Sequence, residues 1–175
     1  MIAIIDSGGA NIASVQFALE RLGAESVLTK DVKIIQSADK VLLPGVGAAP
    51  IAMQNLAEYG LIDCIRSLTQ PVMGICLGMQ LLFAVSPEGN TPLLGIFDAD
   101  CETFTPTQGR SVPHMGWNRL SKQQDHPLLA GLDEGAHVYF VHSYFAPVTA
   151  QTIAATSYGD DFTAIVAENN FMGCQ

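Results

Sequence analysis

From Met1 to about residue 90 the chain alternates four times between a short apolar run and a stretch with helical spacing. "MIAIID" leads through "SGGAN" into "IASVQFALERLG", whose apolar residues Ile12, Val15, Leu19 and Leu22 fall on one helical face, with Gly23 as a stop. "AESVLT" and "KVLLPGVG" are the next two runs. The stretch "AAPIAMQNLAEYGLIDCIRSL" reads as helical, with a break at Gly60. "PVMGIC" is the fourth run, and "LGMQLLFAV" reads as the helix after it. Runs this short, joined by short loops to helices, predict an α/β fold: a mostly parallel, doubly wound sheet with helices on both faces. Such sheets bind ligands at the carboxyl ends of their strands. The loops "DSGGAN", "PGVGAA" and "GICLG" should therefore gather on one edge.

Beyond residue 90 the pattern changes. "LLGIFDADCETF", "VPHMGWNRL", "AHVYFVHSYFAPV", "TIAATSYG" and "FTAIVAENNFMGCQ" are β-like runs between turns, so the C-terminal half should add strands, partly antiparallel, to the same core. Asn169-Asn170 reads as a hairpin turn. Without an internal repeat or a low-complexity linker, residues 1–175 read as a single domain. The last apolar run stops at Gln175 with no closing element, and the domain reads as lacking its C-terminal end.

Bulk properties exclude several function classes. Eight Lys and Arg against 17 Asp and Glu, a net charge of −9, leave no basic surface for nucleic acid. No apolar run reaches the roughly 18–20 residues of a membrane span, and the opening "MIAIIDSGG" lacks the basic start of a signal peptide. Cys64, Cys76, Cys101 and Cys174 form no C-x-x-C pair, so the expectation is no metal, no cofactor and free thiols in a reducing cytoplasm.

Gly74-Ile75-Cys76-Leu77-Gly78 is the cysteine version of a G-x-S-x-G elbow. A nucleophile on such a strand-to-helix turn needs small flanking residues. The following helix N-terminus should favour the thiolate, and the Leu77 N–H lies next in line for an oxyanion. The same pattern fits a buried core cysteine between two packing glycines. Pro44-Gly45-Val46-Gly47 ends the neighbouring run, where glycines let a backbone approach a ligand, or simply form a loop. A nucleophilic cysteine needs a base. His126 reads as a loop residue and His137 as a strand-opening surface residue, while His114 and His142 sit in apolar, aromatic settings. None is paired with an acid in a recognisable motif, and the residues alone leave the base unassigned.

"PGVG", "GICLGMQLLF", "PHMGWN" and "YFVHSYF", in this order and spacing, resemble the glutamine amidotransferase subunits of imidazole glycerol phosphate synthases, within the class I amidotransferases. The resemblance runs from Met1 to Gln175. It implies that Cys76 attacks the side-chain amide of L-glutamine, forms a glutamyl thioester and releases ammonia. Val46 and Gly47 match the oxyanion strand and Leu77 the second oxyanion donor. Gly45, Gln80, Ser143 and Tyr144 match positions that hold glutamine. Tyr139 and the segment 113–118, with His114, Met115, Trp117 and Asn118, match the face toward a (β/α)₈-barrel cyclase subunit in a heterodimer. There the ammonia would react with the nucleotide PRFAR to give imidazole glycerol phosphate and AICAR, in histidine biosynthesis. In the family a Phe-His-Pro-Glu stretch, carrying the catalytic base and its orienting acid, follows Gly-x-Gln. Gly173, Cys174 and Gln175 match Gly-x-Gln and close the sequence. The chain as given is therefore expected to be almost inactive as a glutaminase. The alternatives are a non-catalytic module that binds the cyclase, against which the intact "GICLGMQ" weighs, or a component of another class I amidotransferase, against which "PHMGWN" and "YFVHSYF" weigh.

Overall fold

The first half folds as the alternation requires. The computed structural model describes residues 1–8 and 11–175. The expected loop Asp6–Asn11 includes Gly9 and Ala10, which lie outside the described residues. Strands β1 (Ile2–Ile5), β2 (Ser26–Thr29), β3 (Lys40–Gly45) and β4 (Val72–Cys76) run parallel in the order β2-β1-β3-β4. Helices α1 (Ile12–Arg21), α2 (Val32–Ser37), α3 (Ala49–Glu58), α4 (Leu61–Arg66) and α5 (Leu77–Gln80) connect and follow them. The break at Gly60 is real: its φ of 66° separates α3 from α4. α2 is too short to show a helical period along the chain. Its signal is Asp31, whose carboxylate accepts the Lys33 and Ile34 N–H groups at 2.8 and 3.4 Å, a cap worth about 1 kcal/mol.

The helix after β4 is shorter than its spacing predicted. It makes one turn and stops, because the next carbonyls are taken by another segment. Leu81 O accepts from Leu94 N–H, Leu82 O from Ile96 and Phe97, and Phe83 O from Gly95, at 2.7–2.9 Å. For the same reason most of "LLGIFDADCETF" is not strand. Its start caps α5, and only Glu102–Thr103 pairs as β-structure.

The second half supplies the small pair β5 (Val85–Ser86) and β6 (Thr91–Pro92), then β7 (Glu102–Thr103), β8 (His114–Arg119), β9 (Ser121–Lys122), β10 (His137–His142), β11 (Tyr144–Phe145), β12 (Thr152–Tyr158), β13 (Asp160–Glu168) and β14 (Phe171–Cys174). β14 lies parallel to β4, with Gly173 beside Gly74, and β13, β12 and β9 extend the sheet antiparallel to eight strands. The turn at Asn169-Asn170 joins β13 to β14, with Asn169 at φ 54°. The sheet is thus mostly parallel on one side of β14 and antiparallel on the other, as the two sequence halves implied.

Strand alternation sorts the core. Ala3, Ile5, Val41, Leu43 and Val72 point to one face, where Ile35, Leu56, Leu61 and Ile65 of the helices bury against them. A second cluster, with Phe104, Phe140, Phe145 and Phe162, fills the space between the antiparallel strands and a ribbon formed by β8 and β10.

Candidate active site

Cys76 is the last residue of β4 and stands at φ 56°, ψ −117°, a region an L-residue occupies only under constraint. The flanking glycines are not there for unusual φ. Neither Gly74 nor Gly78 has a positive one among the described residues. They allow three backbones to touch. A Cβ on Gly78 would lie 1.7 Å from Leu43 O, one on Gly74 2.5 Å from Gly78 O, and one on Gly45 2.6 Å from Gly78 N. α5 is thereby pressed onto β3 and β4, which turns the chain sharply at Cys76.

The sulfur opens onto a cavity of about 320 Å³ lined by Val46, Gly47, Cys76, Leu77, Gln80, Glu88, Val141, His142, Ser143 and Tyr144. This is the small end of the range for ligand pockets. Cys76, Val46, Gly47, Leu77, Gln80, Ser143 and Tyr144, seven of the residues singled out from the sequence, thus meet at one place. Gly45 does not line this cavity. It pairs with Cys76 in the β3–β4 register, packs on α5, and borders a neighbouring 240 Å³ cavity with Ser7, Val15 and Val141.

Gln80 is buried, and its Nε2 donates to Tyr144 O at 3.0 Å and to Gln175 Oε1 at 2.7 Å. Gln175 Nε2 in turn lies 3.5 Å from Cys76 Sγ. Burial pushes the Cys76 thiol above the ordinary cysteine range, while the Leu77 N–H and the Gln175 amide pull the other way without winning. The expected low thiolate is therefore corrected: α5 is a single turn, so its dipole is small, and desolvation dominates. Cys101 and Cys174 are pushed further, to about 12 and about 11, mainly by burial.

Glu88, Val141 and His142 line the cavity although the sequence did not mark them as site residues. Glu88 opens a 3₁₀ turn and uses Oε2 to accept the Ala49 N–H at 2.7 Å. It is the one carboxylate lining the cavity among the described residues. No local spacing marks it, because "SPEGN" reads as an ordinary turn.

None of the four histidines hydrogen-bonds to Cys76 among the described residues. His126 accepts the Leu128 N–H, and exposed His137 meets Arg119. His142 lines the cavity, yet both its ring nitrogens are engaged, Nδ1 with Tyr144 O at 2.8 Å and Nε2 with His114 Nδ1 at 3.1 Å. Burial pushes it down to about 4 and lowers His114 as well.

The expected partner face divides in two. Met115, Trp117 and Tyr139 are 60, 71 and 53 % exposed, on the outer side of the ribbon with Val141. His114 is 3 % exposed, and Asn118 turns its amide inward to Ser157 O at 2.9 Å. The period of two along β8 forces this: 115 and 117 face outward, 114 and 118 inward. His114 is therefore out of reach of a partner, whereas Asn118 stays half-buried.

Among the described residues no helix is long and apolar enough to cross a membrane, and no group of three or more His, Cys, Asp or Glu side chains could hold a metal.

Known proteins resemble this chain in sequence and in fold. The family described as "Glutamine amidotransferase class-I" matches residues 3–175. The chain is 51% identical over 174 residues to the imidazole glycerol phosphate synthase subunit HisH of Xanthomonas axonopodis pv. citri (strain 306), covering 99% of this chain and 87% of that one. It is 49% identical, with the same coverage, to the HisH of Pasteurella multocida (strain Pm70). Among solved structures, a glutamine amidotransferase superposes with a TM-score of 0.75 at 19% identity, covering 99% of this chain and 87% of that chain. A glutamine amidotransferase from Thermotoga maritima gives 0.67 at 16%, covering 99% and 74%. At these identities the structures speak to the fold alone. From its matched family, its fold and its half-identical relatives, the chain belongs to the class I glutamine amidotransferases, among the HisH-type subunits of imidazole glycerol phosphate synthase.

Proposed function

We propose that the chain is the glutaminase subunit of an imidazole glycerol phosphate synthase, with Cys76 as its nucleophile. The observation that carries this is the strained Cys76 in the wall of a cavity that also holds amide and carboxylate groups suited to a free amino acid. Glutamine would enter with its α-ammonium toward Glu88, the one anionic group lining the cavity among the described residues, and its amide toward the sulfur. Ser143, Tyr144 and Gln80 bound the remaining walls.

Attack of Sγ on the amide carbon gives a tetrahedral intermediate. Its oxyanion would be met by the Leu77 N–H and by the peptide at Val46-Gly47. Gly47, at φ 95°, has the backbone freedom that turning such a peptide requires. Collapse releases ammonia and leaves a thioester. Water then releases glutamate and restores the thiol, so the sum is glutamine plus water to glutamate plus ammonia. The thiol proton needs an acceptor, and His142 is unsuited because both its nitrogens are occupied. Residues 1–175 by themselves are accordingly expected to turn glutamine over slowly.

The outer face of the β8–β10 ribbon supports the partner reading. Met115 pairs across the strands with Val141, and Trp117 with Tyr139. All four are exposed, and Val141 also lines the cavity. A cyclase subunit seated on this patch would close the cavity mouth and receive ammonia directly. The unpaired cysteines fit a reducing cytoplasm.

The test is protection: L-glutamine should slow alkylation of Cys76 and leave Cys64, Cys101 and Cys174 unchanged. Glu88→Gln should raise the glutamine concentration needed by about tenfold or more. Equal labelling of Cys76 with and without glutamine would overturn the proposal.

A further inference from the structure

The hydrogen bonds around the buried histidine pair have only one consistent direction. A carbonyl can only accept, so the His142 nitrogen 2.8 Å from Tyr144 O, Nδ1, carries the proton. In a neutral ring Nε2 is then an acceptor, and His114 Nδ1, 3.1 Å away, must donate to it. That leaves His114 Nε2 to accept from the Asn118 amide at 3.5 Å. Every proton in the chain Asn118–His114–His142–Tyr144 O is thereby assigned.

Tyr144 O also accepts from Gln80 Nε2, and Gln80 holds the Gln175 amide that reaches Cys76 Sγ. Two N–H groups, one from each side, thus fix a single carbonyl in the cavity wall. His114 and Asn118 sit on the inner face of the ribbon whose outer face carries Met115, Trp117 and Tyr139. The His114 ring is stacked on Tyr158, with centroids 4.0 Å apart, and on Phe140 at 5.2 Å. A ring held this way has little freedom to choose another hydrogen-bond partner.

We propose that His114 and His142 are positioning residues: His114 holds His142 in its Nδ1–H tautomer, and His142 in turn fixes the Tyr144 carbonyl and, with it, Gln80 in the glutamine cavity. This rests on the glutaminase reading of that cavity. It gives an account of a buried histidine pair that makes no contact with the sulfur. The ribbon's inner face sets the cavity wall, and its outer face is the exposed apolar patch. A pair that merely filled the core would have no reason to hold its tautomers or to affect glutamine.

Two measurements on the 175-residue chain test it. Long-range ¹H–¹⁵N spectra of the histidine rings should show both His114 and His142 as neutral Nδ1–H tautomers at pH 7. L-glutamine protection of Cys76 against iodoacetamide should need about fivefold more glutamine in His114→Leu. His114→Asn keeps a donor where Nδ1 stood and should restore protection. The relay is overturned if the His142 ring is Nε2–H in the unsubstituted chain, or if His114→Leu remains folded and is protected like the parent. Failure of glutamine to protect the unsubstituted chain is a different result: it overturns the glutaminase reading and takes the relay's purpose with it.

Discussion

Gly78→Ala separates two accounts of the elbow by the sign of its effect. Gly78 is helical, and alanine in place of a helical glycine ordinarily stabilises by up to about 1 kcal/mol. Here the new Cβ would lie 1.7 Å from Leu43 O and 2.7 Å from Leu43 C, half the 3.4 Å of an ordinary contact in the first case. The neighbours are backbone, so no rotamer change relieves the clash. α5 must lift from β3, and it carries Leu77, Met79 and Gln80 out of their buried sites. Overpacking of a core costs about 1–3 kcal/mol, occasionally more, and a rigid backbone contact belongs at the upper end. A loss of about 3 kcal/mol should lower the urea midpoint by more than about 1 M for a domain of this size. Gly60→Ala is the comparison. It has φ 66° but open space around a Cβ, so it should cost only the left-handed strain of about 1–2 kcal/mol. Urea titrations followed by far-UV circular dichroism would measure both. A Gly78→Ala midpoint equal to or above the parent's would refute the close-contact reasoning.

Other outcomes follow from the same contacts. His142 is held near 4 by burial, so between about pH 6.5 and 4 the unfolded chain binds a proton that the folded chain does not. Stability should fall as pH drops through that window, by up to ~3 kcal/mol from this group, and His142→Asn should flatten the slope in pH-dependent urea titrations. Because burial raises the Cys76 thiol, its alkylation rate should keep climbing about tenfold per pH unit to beyond pH 9; a plateau near neutral pH would reveal a stabilised thiolate instead. Trp117→Ala removes the most exposed aromatic of the ribbon and should weaken cyclase binding by at least about tenfold in a titration, with glutamine protection of Cys76 unchanged.

Much of the architecture was legible along the chain. The β-α alternation, the Gly60 break and the Asn169-Asn170 turn are local events, decided by periodicity and by residues that favour particular φ angles. Elements decided by distant partners were not. α5 shows a longer helical spacing than it uses, since residues 94–97 claim the carbonyls of Leu81, Leu82 and Phe83. Glu88 sits in a plain turn and becomes part of a cavity only because α3 offers its Ala49 N–H.

For the site, the sequence by itself marked Cys76 between Gly74 and Gly78 as a candidate elbow; the close approach of α5 to β3 and β4 that those glycines permit belongs to the tertiary structure. The strand alternation also brings "PGVG" and "GICLG" to one edge, which supplies Val46, Gly47, Cys76 and Leu77 to the cavity. Only the tertiary structure decided which side of the ribbon each residue faces, and with that the fate of His114 and Asn118. It decided as well that the thiol is raised rather than lowered, because burial is summed over neighbours from the whole chain. And it decided that two histidines 28 positions apart lie within hydrogen-bond distance ring to ring, an arrangement set by the β8–β10 register and by no spacing along the chain.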